Sequence, residues 1–446
     1  MCTATVSQLV CSSNSNAPMT SSMEQRHTLI LVNPGHFHAA LTLRKRHPLL
    51  SDEVYVYAED GPELRDFLRL VASFNQRRDD PTSWVMHVYR GHDYMDALVQ
   101  QLPGDVAVVA GKNDSKLSTI QRLHQAGVHV LGDKTWVTNA SQLALLRDIT
   151  ASPPLVMDIM TERFEIATRL QQALSTNQEV FGGFRQTGNE PAVYFKSVHH
   201  LYKEVNGEPL VRPAWYFDTG TQGEGITDVT THLVDLAQWL VNGESGSADE
   251  TDVILTGARQ WPTSIPLETF SRITGLSDFP AEIQRHVSNG ALQYLCNANI
   301  RYRLGTVAVE IDSIWDLAIP EGGGDTHYCV LRGTHADLVV DQGPASGFKT
   351  RLRVVPTRPG DGYDDVLTRA LLGLQRLCPG VQHEADGEGY LVLIPVASHH
   401  GHEARFADVL NQFLDYVNAG KCPQDISLQL VTKYTLLANA YELSHR

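Results

Sequence analysis

Asp228, His232 and Asp235 fall at intervals of four and three residues within GEGITDVTTHLVDLAQWL, residues 223–240. On a helix that spacing stacks three ionisable groups along one side. An imidazole with an unperturbed pKa of about 6.5 exchanges protons near neutral pH, which suits a general base. To take a hydroxyl proton, that base must come within about 3 Å of the oxygen. Asp228, one turn before His232, is placed to orient the ring or to hydrogen-bond a neighbouring hydroxyl. Asp235, one turn after it, is expected to hold His232 or a backbone group. The same three side chains could instead ligate a metal ion, or simply cap and pack a half-exposed helix.

The helix that must carry them is written beside them. Ile226, Val229, Leu233, Leu236 and Leu240 recur every three or four residues and form the apolar stripe of a core-facing helix. Asp228, His232, Asp235 and Trp239 form a second stripe one residue off the first, at the edge of a core or cleft. Gly223 and Gly225 precede it, as where a backbone runs close to a neighbour.

From Thr28 the chain alternates strand and helix. TLILVN, EVYVYA, WVMHVY, DVAVVA, VHVL and PLVMDIM read as strands. FHAALTLRKRH, PELRDFLRLVASF, DYMDALVQQL, SKLSTIQRLHQAG and ASQLALLRDI read as the helices between them. Such alternation predicts an α/β domain with a doubly wound parallel sheet over residues 26–160. Ligands of such sheets bind at the carboxyl ends of the strands. After the first strand comes Asn33-Pro34-Gly35-His36-Phe37-His38, in which Gly35 alone matches a Gly-x-Gly-x-x-Gly turn. After the second strand comes Glu59, an acid suited to an adenine ribose and opposed to a 2′-phosphate, which favours NAD over NADP.

The texture changes from about Thr161. AVYFKSV, DVILTGARQW, LQYLCNANIRYRL, TVAVEIDSIWDL, THYCVLRG and ADLVVDQG alternate with a period of two, separated by Gly, Pro and Asn. They predict an α+β domain over 161–446 whose large, mostly antiparallel open sheet has one face covered by the helix of 223–240. Lys196-Ser197-Val198-His199-His200 and Arg212-Pro213-Ala214-Trp215-Tyr216-Phe217 mix hydrogen-bonding groups with aromatic faces, as a sugar requires, although each also fits a sheet. SHHGHE at 398–403 reads as an exposed turn and not a metal site, and Gly322-Gly323-Gly324 as a loop between strands.

A net charge of −15 repels phosphate backbones, so nucleic acid is not an expected partner. No apolar run is long enough for a membrane span. Residues 1–25 have neither a basic nor a sustained apolar region and read as a disordered tail, not a signal peptide. The six cysteines show no metal spacing and are scattered as in a reduced cytoplasmic protein.

DVAVVAGKNDSKLSTIQRLHQAGVHVLGDKTWVTNASQLALL resembles the Gfo/Idh/MocA family (glucose–fructose oxidoreductase and inositol dehydrogenase), where the stretch ends in Glu-Lys-Pro. The Gly-rich approach to Asp-x-x-x-His-x-x-Asp resembles that family's second signature. RFADVLNQFLDYVNAGKCPQDISLQLVTKYTLLANAYELS resembles its closing helices, about 404–446, which return to the cofactor domain. PGHFHAAL, DIMTERFEI, RPAWYFD and EGGGDTHY resemble one subset of it. The resemblance implies that Lys134, Asp228 and His232 form the active site, with Lys134 stabilising alkoxide charge and meeting the nicotinamide ribose. It implies cofactor contacts from Asn33, Pro34, Gly35, His36, Phe37, His38, Glu59, Ala110, Gly111, Asn113, Asp133 and Lys134. It implies a substrate side drawn from Arg163, Lys196, His199, His200, Arg212, Trp215, Asp228 and His232. It also implies a homo-dimer or tetramer through the open sheet face. Glu-Lys-Pro is Asp133-Lys134-Thr135 here. Without proline a cis bond is not expected, since it costs about 2.5–4 kcal/mol.

The expected function is an NAD-dependent oxidoreductase acting on a secondary hydroxyl of a sugar or glycoside, with oxidation at C3 as one form. One alternative is an NAD-dependent glycoside hydrolase that recycles its cofactor within each turnover. Others are a metal-dependent isomerase or hydrolase using Asp228, His232 and Asp235, and a sensor that binds NAD without catalysis.

Overall fold

Six strands, His27–Val32, Leu50–Ala58, Val85–Arg90, Val106–Val109, His129–Gly132 and Val156–Asp158, pair in parallel in the order third, second, first, fourth, fifth, sixth. The computed structural model that shows this describes residues 26–446 apart from 187, 189, 206–207, 244–249, 321, 359, 361 and 421–423. The N-terminal tail expected over 1–25 lies outside the described residues. Strand order reverses between the first and fourth strands, so a crevice opens at their carboxyl ends, as in dinucleotide-binding sheets. Leu29, Ile30, Leu31 and Val106, Ala107, Val108 are fully buried, because helices cover both faces of a parallel sheet.

The first helix is shorter than its sequence predicts. Only His38–Leu41 is helical, not 37–47. Thr42 donates its hydroxyl back to the Ala39 carbonyl at 2.7 Å, and Leu43 N bonds Ala40 O, so the turn tightens and stops.

Among the described residues a ten-stranded sheet forms the second half. It is antiparallel except where Val193–Tyr202 pairs in parallel with Val307–Ala318. The helices Thr230–Asn242 and Ile166–Ser175 lie on one face. The register Ile311 to Phe195, Ser313 to Ser197 and Trp315 to His199 puts these six side chains on the covered face. Lys196 points the other way and is exposed.

The last two helices join the halves. Arg405–Asn418 buries Phe406, Leu410, Phe413 and Leu414 in the core that holds Leu29 and Leu31. Each such side chain contributes about 1.5–3 kcal/mol on burial. Gln424–Ser444 packs on Thr230–Asn242 and on the helix Leu143–Thr150 of the first domain. No described helix is long and apolar enough to cross a membrane.

Candidate active site

The cleft between the halves is built where two tight backbone approaches meet. After the first strand, Gly35 and His36 donate to the Ala110 carbonyl at 3.0 and 3.1 Å. A Cβ on Gly111 would lie 2.7 Å from the Asn33 carbonyl oxygen, so the two turns fit only with glycine there. Gly225 meets the backbone of Cys296 so closely that a Cβ would lie 2.6 Å from its carbonyl. The close approach expected of the Gly-x-Gly is therefore to the sheet. It fixes the turn that presents Asp228.

Asp228 precedes the helix, which begins at Thr230. It is 3 % exposed and pairs with the Lys134 ammonium, and Gln222 donates to it at 3.2 Å. Lys134 comes from the carboxyl end of the fifth strand, so this ion pair spans the two domains. The Lys134–Thr135 peptide is cis, contrary to the expectation from the missing proline. Thr135 is fully buried, and its hydroxyl is held by the Thr227 carbonyl and by the Thr231 hydroxyl at 2.9 Å.

His232 lies one turn further on, with Nδ1 3.4 Å from Glu162 Oε2. The partner is thus Glu162, not Asp235. Asp235 faces inward to a buried ionic cluster: Arg163 donates to both its oxygens at 2.6 Å and Lys433 to one at 2.8 Å. Lys433 also bonds Asp158 at 2.7 Å. Burial pushes the Asp235 carboxyl up, but Arg163 and Lys433 outweigh it and hold it at about 2. Arg163, expected on the substrate side, is engaged in this cluster. With Asp228 on Lys134 and Asp235 on Arg163, the three groups do not converge on one point, as metal ligands would.

Glu162 has a second neighbour, His402 Nε2 at 3.9 Å. Burial alone would raise the Glu162 carboxyl, and the imidazoles of His232 and His402 hold it well below its usual range. His327 completes this polar wall; burial lowers its imidazole to about 4, against the opposing pull of Glu162.

The other wall is aromatic. Arg212 lies 4.6 Å from the Tyr216 ring centroid and 5.3 Å from that of Trp315. Its guanidinium also donates to the Leu201 carbonyl at 3.1 Å. His199 sits 5.0 Å from Trp315 and shares a 2.9 Å hydrogen bond with Ser197. His200 instead bonds Asp325 at 2.9 Å, beside Lys203, and is buried there. Trp215 reaches across to the nucleotide domain, where Nε1 donates to Glu63 at 3.3 Å and the ring comes close to Gly35.

On the nucleotide side, Glu59 stands half-exposed at the end of the second strand, 3.4 Å from His92. Pro34 and Ala110 are buried under the turn and Phe37 is exposed at its rim. Asn113 is buried and spans to the second domain, donating to the Gln222 carbonyl at 2.7 Å and accepting from Lys116 at 2.6 Å. Burial lowers Lys116 to about 8. Asp133 receives the Lys134 backbone N–H at 2.9 Å.

Lys134 pairs with Asp228, one turn from His232; His199 and Arg212 group around Trp315, and Trp215 meets Glu63 beside Gly35, while Arg163 and His200 are paired elsewhere and Lys196 is exposed. Near them stand Glu162, His327, His402 and Trp315, which the sequence patterns did not single out, and Tyr216, from the aromatic segment they did. Glu162 stands in DIMTERFEI and His402 in SHHGHE, so both signals were present in stretches already noted. The exposed turn at 398–403 keeps His399 and His400 in solvent.

Residues 170–445 match the family described as "Putative oxidoreductase C terminal domain". A solved structure described as "a putative oxidoreductase from Parabacteroides merdae" is 38 % identical, with 95 % of this chain and 98 % of that chain covered and a TM-score of 0.90. Levoglucosan dehydrogenase in complex with NADH and levoglucosan is 14 % identical, with 94 % and 97 % covered and a TM-score of 0.60. A 3-ketoreductase from Actinomadura kijaniata with NADP and TDP-benzene is also 14 % identical, with 93 % and 96 % covered and a TM-score of 0.55. These last two share the fold. No curated protein matches the chain.

Proposed function

This chain belongs to the Gfo/Idh/MocA-type oxidoreductases that carry this C-terminal domain, and from that premise we propose that it uses NAD to oxidise a secondary hydroxyl of a sugar or glycoside. The observation that carries the reading is the Lys134–Asp228 pair between the domains, one turn from His232.

The turn of Asn33, Pro34, Gly35, His36, Phe37 and His38, with Ala110 and Gly111 beneath it, would hold the dinucleotide at the sheet's switch point. The fit rests on the close packing of Gly35 and Gly111, which leaves the turn without side-chain bulk between the strands. Glu59 would accept the adenine ribose hydroxyls. When bound, the nicotinamide ring supplies the hydride acceptor.

His232 takes the hydroxyl proton through the ring nitrogen that does not face Glu162. Lys134 places positive charge where the alkoxide develops, and such placement in a shielded cleft is worth far more than in water. Asp228 holds the Lys134 ammonium in position and can accept from a neighbouring hydroxyl. The Arg212, Tyr216 and Trp315 stack, with Trp215 opposite, presents flat apolar faces to the C–H side of a sugar ring. Glu162 and the surrounding imidazoles serve its polar rim.

Self-association as a homo-dimer or tetramer fits the uncovered sheet face, where Lys196, Ile254, Arg301 and Tyr328 meet solvent. The test of function is NADH fluorescence on mixing the protein with NAD and a panel of glycosides. Formation of NADH supports net oxidation. Glycoside cleavage without net NADH transfers the same residues to a redox-recycling hydrolase. Neither outcome on any sugar or glycoside would overturn the reading.

A further inference from the structure

In the chain His-x-His follows the first strand, where a dinucleotide turn would continue towards a third glycine. The fold brings both imidazoles to one carboxylate. His38 Nδ1 lies 3.1 Å and His36 Nδ1 3.4 Å from the same oxygen, Asp133 Oδ2. The two rings are 4.0 Å apart and close to perpendicular. Among the described residues this is the one place where three such donor atoms all lie within 4.8 Å of one another. His36 Nδ1 is buried and has no hydrogen-bond partner.

We propose that His36, His38 and Asp133 form a binding site for a divalent transition-metal ion of the zinc class. Ligand bonds of about 2.0–2.2 Å at tetrahedral angles separate neighbouring donor atoms by roughly 3.3–3.6 Å. The two observed edges are close to that spacing. Two imidazoles and one carboxylate are a donor set for zinc and its neighbours, and they leave at least one position open. Neutral imidazole is the ligating form. The carboxylate is oriented from behind, since its other oxygen accepts the Lys134 backbone N–H at 2.9 Å.

The charge balance permits the ion. Asp228 pairs with Lys134, and the Asp133 carboxylate offsets one charge of the ion. The ligands differ from the Asp228, His232 and Asp235 of the metal alternative raised by the sequence. The site does not depend on the proposed oxidation, because metal binding is read directly.

The experiment is a cobalt(II) titration of the full chain after dialysis against a chelator, followed by ligand-field absorption and by the metal content retained on a desalting column. The wild type should take up one equivalent saturably. His36→Gln, at a partly exposed position, should weaken that uptake by at least about tenfold, the smaller of the losses caused by disturbing even outer-shell partners. Asp133→Asn should do the same. Replacing His399 and His400 in the exposed turn by glutamine should leave it unchanged. Absence of a saturable equivalent in the wild type overturns the site. So does an unaltered titration in folded His36→Gln, whether or not Asp133→Asn folds. His36 and His38 also belong to the turn proposed to hold the dinucleotide, so metal uptake is measured without NAD, and NAD affinity is measured separately on the stripped protein.

Discussion

Glu162 Oε2 stands 3.4 Å from His232 Nδ1, on the side of the ring away from the role proposed for it. The approach is an ion-pair distance without a formed hydrogen bond, and a carboxylate on that side favours the tautomer with its proton on Nδ1. The sequence separation of 70 residues, from 162 to 232, hides a relationship that the fold makes local.

Glu162→Gln keeps the shape and removes the charge. Turnover should fall by about 10²-fold, the lower end of what general acid–base catalysis supplies, with NAD affinity unchanged. Glu162→Asp should recover part of the loss. Steady-state kinetics alongside NAD titration check this, and an undiminished rate in Glu162→Gln would remove the carboxylate from the account.

Asp235 governs stability rather than chemistry. Asp235→Asn leaves Arg163 and Lys433 short of their partner in the interior, and breaking a buried pair costs about 3–5 kcal/mol. Urea unfolding should show a loss of that order. The carboxyl is held at about 2 when folded, below its unfolded value of about 3.9. A depressed acid stabilises the fold above the unfolded pKa and loses that contribution as pH falls through the folded one. Wild-type stability should therefore drop between about pH 4 and pH 2, and the Asn variant should drop less over that interval.

Glu59 bears on cofactor choice. Its carboxylate is half-exposed at the end of the second strand, where a 2′-phosphate would meet like charge. NAD should bind more tightly than NADP, and Glu59→Ala should narrow the ratio by about tenfold, equivalent to about 1.4 kcal/mol. Dissociation constants that favour NADP in the wild type would reverse the assignment.

Much of the fold is written in local periodicity. The buried parallel strands are continuous apolar runs, the open sheet alternates with a period of two, and the helix of 230–242 shows its stripe. The resemblance points to the two stretches that carry Lys134 and Asp228, and the fold brings these two side chains into an ion pair. Other features depend on distant partners. Arg163 looked free for a substrate because nothing nearby in the chain announces Asp235 or Lys433. Lys196 and His199 are three residues apart in one strand. Only the register with Asp312 and Trp315 decides which of them faces the cleft. The helix after the first strand was overestimated because its apolar pattern continues past the point where Thr42 turns back to the backbone. The cis Lys134–Thr135 peptide carries no signal in the chain, since Thr135 replaces the proline that would announce it.

The central claim is that His232 removes the substrate proton. On a glycoside that yields NADH with the wild type, His232→Ala should retain NAD affinity and lose about 10²–10⁴-fold in turnover. The fall in wild-type rate towards acid pH should disappear with it. A folded His232→Ala protein that turns over at the wild-type rate would contradict the account.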